Sequence, residues 1–411
     1  MVENEESDET RELKTRLSAA ALLNASLAAV QCLQMNAIYE AVLLARRHPE
    51  LYVLPGAAQT RAEGIRLAER SVVFDLALRL SKSENVIWSL LHDTETLIAR
   101  LPKVWAEFRG GRVPHSNVRT AAELARSLPD DSPVFDELDA LLVDRAARLT
   151  PSKFRTAARV IRERLHPADP VERHQAAAVD RRVEIEPADD GMAWMHLYSD
   201  APAIMKIDAR LTAAASRQRA QSDESRTLAQ LRADAAADLL TGRGTPNEVV
   251  THVQISVPVT TLLNQPTLLT QAQLAPAVLD GYGPIDEATA RLLVADAPSF
   301  RRIFTDPISG VDLNMDRRSY RPTAAQREWL RRKFRSCVVP HCSRASRECD
   351  LDHTTDWQFD GTTNDDNLAP LSRGHHSLKH KTKITLSRAE GGRYAWTTPT
   401  GFTRTSDPPP F

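Results

Sequence analysis

The sequence predicts an α+β protein that is mostly helical: an N-terminal multi-helix region, a small α+β unit, and a compact C-terminal module built around metal-binding side chains. Three observations carry this. From about residue 11 to 165 apolar residues recur at helical spacing, with prolines between the runs. Strand-like alternation first appears in RRVEIEPADDGMAWMHLYSD, around an Asp-Asp-Gly turn. Finally, three of the 4 cysteines gather in one short stretch near the C-terminus, among histidines.

Composition agrees with this and narrows the function. A hydrophobic share of 42% and a charged share of 26% are ordinary for a globular chain, and aromatics at 5% with abundant Ala, Leu and Arg favour packed helices. A length of 411 residues suggests two or three domains. The formal net charge of −1 excludes a polycation, so any nucleic-acid surface has to be local. No apolar run is expected to be long enough to cross a bilayer. The N-terminus, MVENEESDETRELKTR, is the opposite of a secretory signal, so the expectation is a cytoplasmic protein without a membrane partner. The clustered cysteines argue for a metal site over a disulfide framework. Cys32, inside ASLAAVQCLQ, reads as a small core residue.

The elements follow in order. Residues 1–10 are charged and polar and are expected to be disordered. Residues 11–165 read as a helical bundle punctuated by Pro55, Pro102, Pro114, Pro129 and Pro133. Within it, SVVFDLALRLSKSENVIWSLL has the outline of a helix-turn-helix. Its second helix lacks the Arg and Lys of a reading helix, which favours two ordinary packed helices. PADPVERHQ at 167–175 looks like a linker. Residues 176–320 read as an α+β region: a hairpin, helix from about 202 to Thr241-Gly242, a strand in 248–263 whose Pro258 marks its end or an edge strand, helix in 270–298, and a hairpin at Asp306–Gly310. A helix should open at Thr323 with Gln326 completing a capping box, and Arg327, Arg331 and Arg335 would share its face. The C-terminal module spans 323–388, and 389–411 form a hairpin and the Pro-rich tail TSDPPPF.

The module carries the chemistry. It reads Cys337-Val-Val-Pro-His-Cys342, Cys349-Asp-Leu-Asp352-His353, Asn367-Leu and His375-His376-Ser-Leu-Lys379. Cleaving a phosphodiester needs a water nucleophile, a base, and positive charge for the transition state and the departing oxygen. Asp352 and His376 suit a divalent ion, and His353, with an ordinary pKa near 6.5, suits the base. Neighbours in a strand point oppositely, so Asp352 and His353 cooperate only if the strand ends or bends there. Asn367 would orient His353. Lys379, three residues from His376, would meet the phosphate with Arg373, Arg331 and Arg335. Mg²⁺ or Mn²⁺ is the first choice of ion, and a histidine ligand admits Zn²⁺, Ni²⁺ or Co²⁺.

These residues resemble the HNH endonucleases, whose module is the ββα-metal fold. RRVEIEPADDGMAW, LAQLRADAAADLLTG, GYGPIDEATARLL, FTDPISG, YRPTAAQREWL and WTTPTG extend the likeness to the actinobacterial HNH proteins of the thirteen-E-twelve repeat family, which carry an N-terminal helical domain of unknown function. The resemblance implies His353 as general base, Asn367 as the middle residue, Asp352 and His376 as metal ligands, and nucleic acid, DNA first, as substrate. A homodimer would suit double-strand cutting. Two departures matter. Where the family commonly has Leu-Cys-Arg-x-His-His, this chain has Leu371-Ser372-Arg373-Gly374-His375-His376, and where Gly-Gly is frequent it has Asp360-Gly361. A structural Zn²⁺ would draw on Cys337, Cys342, His375 and the Ser372 position, with Cys349 or His341 as substitutes, and serine is a poor ligand. The alternative function is a catalytically inactive DNA-binding or regulatory protein with a zinc-stapled HNH-like module.

Overall fold

In the computed structural model the described residues are 8–130, 133–220, 224–242, 255–256, 277–279, 283–286, 288–291, 322, 324–355, 361–364 and 366–407. The chain divides into two compact units, Met1–Pro167 with Leu313–Phe411, and Ala168–Asp312.

The first unit begins with a 40-residue helix, α1 (Asp8–Arg47), which takes in residues 8–10 of the segment expected to be disordered. By length and composition alone α1 is long and apolar enough to cross a membrane, which corrects the expectation that no such run exists. The Ala content that reads as a helix former also raises its hydropathy. Its second half packs into the bundle through Ala28, Cys32, Met35, Ile38, Val42 and Ala45, as expected for Cys32, while Leu13, Leu17, Leu23 and Leu27 are exposed. Helices α2 (Arg61–Leu80) and α3 (Glu84–Arg100) follow. Thr60 and Ser83 cap their N-termini by accepting from the Glu63 and Val86 amides, and Ser81 ends α2 at a left-handed φ of 53°. The polar break read at 81–83 is therefore a C-cap followed directly by an N-cap. Helices α4 (Pro102–Arg109), α5 (His115–Arg126), α6 (Phe135–Arg148) and α7 (Pro151–Leu165) enclose Phe108, Val118, Leu142 and Phe154. No side chain of its own caps α4. Instead Asp139 of α6 accepts from the Lys103 and Val104 amides at 2.8 and 3.1 Å.

The C-terminal part of the same unit contains α11 (Ala324–Lys333), the antiparallel pair β6 (Asp350–His353) and β7 (Leu368–Leu371), α12 (Arg373–Lys381), and a three-stranded sheet ordered β10-β9-β8 from β8 (Thr385–Arg388), β9 (Tyr394–Thr397) and β10 (Thr403–Thr405). Here β6, β7 and α12 give the expected hairpin-then-helix order. The Thr323 side of the capping box lies outside the described residues, and Gln326 is buried, donating its side-chain amide to the Thr363 carbonyl at 2.9 Å. Helix α11 stops at Lys333, so Arg335 does not extend the Arg327–Arg331 face.

This part does not stand apart from the helices. Phe74 and Leu78 of α2 belong to one buried cluster with Leu330, Phe334, Cys337, Leu371, Leu378, Tyr394 and Trp396. A backbone bridge joins Val53 to Thr382, closed by Lys383 N to Tyr52 O at 2.7 Å and Leu54 N to Lys381 O at 3.2 Å.

In the second unit, PADPVERHQ forms a helix, α8 (Pro170–Ala178), where a linker was expected: Asp169 caps it and Pro170 sits in its first turn. Strands β1 (Arg182–Pro187) and β2 (Ala193–Tyr198) make the expected hairpin, with Asp190 and Gly191 at φ 58° and 76° in the turn. The single helical stretch expected at 202–241 is two helices, α9 (Ala201–Arg219) and α10 (Leu228–Thr241), the second ended by Gly242 at φ 68°. Within the expected strand at 248–263, Ile255–Ser256 forms β3. The expected helix at 270–298 is corrected over 277–285, where Ala277–Leu279 (β4) and Gly283–Ile285 (β5) pair antiparallel and β4 also pairs with β3, while 288–291 are helical. Its Ala and Leu content suggested helix, but pairing partners decide strand formation. The hairpin expected at 306–310 lies outside the described residues.

Candidate metal centre

Strand period and helix period together build the first group of ligands. Asp350 and Asp352 are two apart on β6 and so face the same side. On α12, His376, Lys379 and His380 share a face by their three- and four-residue spacing. The two faces meet. His376 Nε2 is 3.5 Å and His380 Nε2 3.2 Å from Asp352 Oδ1, and the three donor atoms form a group able to hold a metal ion. These separations are close to the edge lengths expected for ligands about 2.1 Å from a shared ion.

The surroundings fix this geometry. Asp350 Oδ2 takes His376 Nδ1 at 2.9 Å, the carboxylate support that a ligating imidazole commonly has on its other nitrogen. Burial opposes ionisation of Asp352, yet hydrogen bonds from His376, His380 and Lys379 outweigh it and hold the carboxyl far below its usual range. The hydrogen bond to Asp352 raises the His376 pKa; burial opposes that, and Asp350 adds to it. Arg373, His376, Ser377, His380 and Lys381 line a cleft of about 340 Å³ beside the group.

The anticipated residues fall as follows. Asp352 and His376 converge. His353 does not join their group: it is the last residue of β6, and its Nε2 lies 2.9 Å from Thr363 Oγ1. The second imidazole at Asp352 is His380. Asn367 acts on the backbone: Oδ1 accepts the Thr355 amide at 2.8 Å, and Nδ2 donates to the Thr355 and Thr362 carbonyls at 2.9 Å each. It thereby pins the loop that brings Thr363 to His353. Lys379, expected at the phosphate, is instead buried, its ammonium on Asp352 Oδ2 at 2.9 Å and the His353 carbonyl at 2.6 Å. Arg373 remains 88% exposed, 3.2 Å from Asp350. Arg331 and Arg335 are exposed. His380 and Asp350 escaped the sequence reading, although the His376–His380 spacing and the Asp350–Asp352 alternation were both visible.

Cys337, Cys342 and His375 form a second group able to hold a metal ion. Cys337 Sγ is 3.4 Å from His375 Nδ1, and Ser372 Oγ reaches the same nitrogen at 2.8 Å. The hydrogen bond with Cys337, then burial, push the Cys342 thiol up to about 12. Cys349 stays outside the group; its thiol donates to the Ala345 carbonyl at 3.4 Å, and the residue is buried just before β6. A third group, Glu84, His341 and His375, lies on the other side of the His375 ring.

Comparison with known proteins reaches most of the chain. It is 28% identical over 373 residues to the uncharacterized protein Rv3776 of Mycobacterium tuberculosis (strain H37Rv), covering 81% of this chain and 70% of that one. It is 28% identical over 365 residues to the uncharacterized proteins Rv2100 (strain H37Rv) and MT2160 (strain CDC 1551) of the same species, covering 75% of this chain and 64%, less than two thirds, of theirs. No solved structure matches. The family profile described as "Domain of unknown function (DUF222)" matches residues 30–333, ending before Cys337. That span takes in most of the helical region and all of the second unit, and the chain belongs to the DUF222 family.

Proposed function

We propose that this protein is a metal-dependent endonuclease of the HNH type, hydrolysing phosphodiester bonds of nucleic acid, DNA before RNA. The observation that carries this reading is the convergence of Asp352, His376 and His380 beside an open cleft whose rim includes Arg373 and Lys381.

The donor set fits a divalent ion. It combines one ionised, largely buried carboxylate with two imidazoles, which suits Mg²⁺ or Mn²⁺ and also Zn²⁺, Ni²⁺ or Co²⁺. Bound there, the ion would supply charge to the scissile phosphate and the departing oxygen. The chain's own residues do the rest. His353, which follows Asp352 at the end of β6, would be the general base, with its ring Nε2 2.9 Å from Thr363 Oγ1. Asn367 holds the loop that supplies Thr363. Lys379 keeps Asp352 ionised and in place, a positioning role in this reading rather than a phosphate contact. Arg373, with Arg331 and Arg335, would attract the polynucleotide backbone. A structural Zn²⁺ on Cys337, Cys342 and His375 would have Ser372 where a fourth strong ligand is wanted.

The test is nicking of supercoiled plasmid by the chelator-stripped protein with each of Mg²⁺, Mn²⁺, Zn²⁺, Ni²⁺ and Co²⁺ added back. Cutting should need the metal and fall by at least about 100-fold in Asp352→Asn, His376→Ala and His353→Ala. Binding without cutting under every metal would replace this reading with the inactive DNA-binding one.

A further inference from the structure

We propose that Glu84, His341 and His375 form a second transition-metal site, one that ties α3 of the helical region to the C-terminal module. The site is separate from the Asp352 cluster and does not depend on the nuclease reading.

Glu84 opens α3, His341 lies in the Cys337–Cys342 loop, and His375 is in the first turn of α12. Their ligand atoms form a group compact enough for one ion. Glu84 Oε2 is 2.9 Å from His375 Nε2 and 4.0 Å from His341 Nε2. A tetrahedral edge at about 2.1 Å ligand distance is roughly 3.4 Å, and both Glu84 edges lie within about 0.6 Å of it.

Two facts point to a ligand. The His341 side chain is 7% exposed, and neither of its ring nitrogens has a hydrogen-bond partner. Glu84 Oε1 is likewise buried without one. Buried polar atoms are normally satisfied, and three such orphans in one place call for an occupant.

The second shell fits as well. Ser372 Oγ meets His375 Nδ1 at 2.8 Å, which leaves Nε2 as the ligating atom. Phe74 packs edge-on against both rings, 5.3 Å from His341 and 5.6 Å from His375, walling the site with apolar surface. His341 also borders a cavity of about 260 Å³ with Ser81, Lys82, Ser83, Pro340 and Arg404, which gives an ion and a water ligand a way in. Two imidazoles with one carboxylate select Zn²⁺, Co²⁺ or Ni²⁺ over Mg²⁺ or Ca²⁺. The site uses His375 through Nε2, whereas the cysteine group uses Nδ1.

The experiment uses full-length protein carrying Asp352→Asn and His376→Asn, so that the Asp352 cluster is silent, stripped with chelator and titrated with Co²⁺. One Co²⁺ should bind with a spectrum lacking a thiolate charge-transfer band. Glu84→Gln and His341→Gln should each weaken binding at least about tenfold, and Cys337→Ser/Cys342→Ser should leave it unchanged. A thiolate band in the parent, wild-type affinity in either the Glu84 or the His341 variant, or no bound Co²⁺ would each overturn the proposal. The band is read on the parent, so misfolding of a variant cannot mask the result.

Discussion

Replacing Phe74 with Ala tests whether the helical region and the C-terminal module are energetically one body. The Phe74 ring is fully buried and lies within 5.3, 5.6 and 5.5 Å of the His341, His375 and Trp396 rings in edge-on geometry. Phe→Ala in a core costs about 3–5 kcal/mol, and each aromatic pair lost accounts for about 0.5–1.5 kcal/mol of that. Taking about 4 kcal/mol, the opening equilibrium of the module should shift by a factor of about a thousand, since 1.4 kcal/mol is tenfold. Hydrogen exchange read by mass spectrometry on peptides covering β6, β7 and α12 is the assay. Protection there should fall by that factor in Phe74→Ala. Phe154→Ala deletes the same ring from the separate α4–α7 core, and its effect should appear first in those helices. If Phe74→Ala leaves exchange in β6 and β7 within threefold of wild type, the shared core does not hold the module, and the argument fails.

Other predictions concern the site more closely. A Cβ at Gly361 would overlap the Thr355 carbonyl oxygen and crowd Asn367, so Gly361→Ala should cost about 1–3 kcal/mol and disable plasmid cutting. At Gly374 the overlap is with the end of the Arg70 side chain, which can swing away, so Gly374→Ala should melt within a few degrees of wild type; the reverse order of melting temperatures would refute this. The Asp352 pKa is lowered in the fold, so its contribution to stability is present above the unfolded value of about 4 and is lost as pH falls toward the folded value. Chemical unfolding measured between pH 6 and pH 3 should therefore show stability dropping below about pH 4, more weakly in Asp352→Asn, and an equal drop in both proteins would exclude Asp352 as a cause.

What the sequence made legible was local. The Asp190-Gly191 turn, the Ser81–Ser83 break and the Gly242 stop are set by residues whose backbone and capping preferences need no tertiary partner. Convergence of Asp352 with His376 was also legible, because strand and helix periods fix which side chains share a face. The helix period, applied strictly, adds His380 to that group, while His353 stays outside it. The misreadings were non-local. Ala277–Leu279 becomes a strand through its pairing with β3 and β5, and Gln326 also donates to the Thr363 carbonyl, 37 positions away. Phe74 and Glu84 looked like ordinary helix residues, since nothing in a helical period says that the facing surface comes from some 290 residues further along.

The placement of α12 joins these strands of argument. Three residues of one of its faces, His376, Lys379 and His380, must meet one carboxylate on β6, and a shift of about an ångström would undo that. The helix has only 9 residues, too short to hold its own position. The N-terminal region grips both its ends: Glu84 holds His375 in the first turn, while the Val53–Thr382 bridge and the Glu63–Lys381 ion pair hold the last. Those contacts come from α2, α3 and the loop after α1, all inside the span matched by the DUF222 profile. A physical role for that part of this chain follows: it clamps the helix that carries the imidazoles of the candidate metal group. Any change that loosens the clamp should therefore weaken metal binding at Asp352 without touching a ligand.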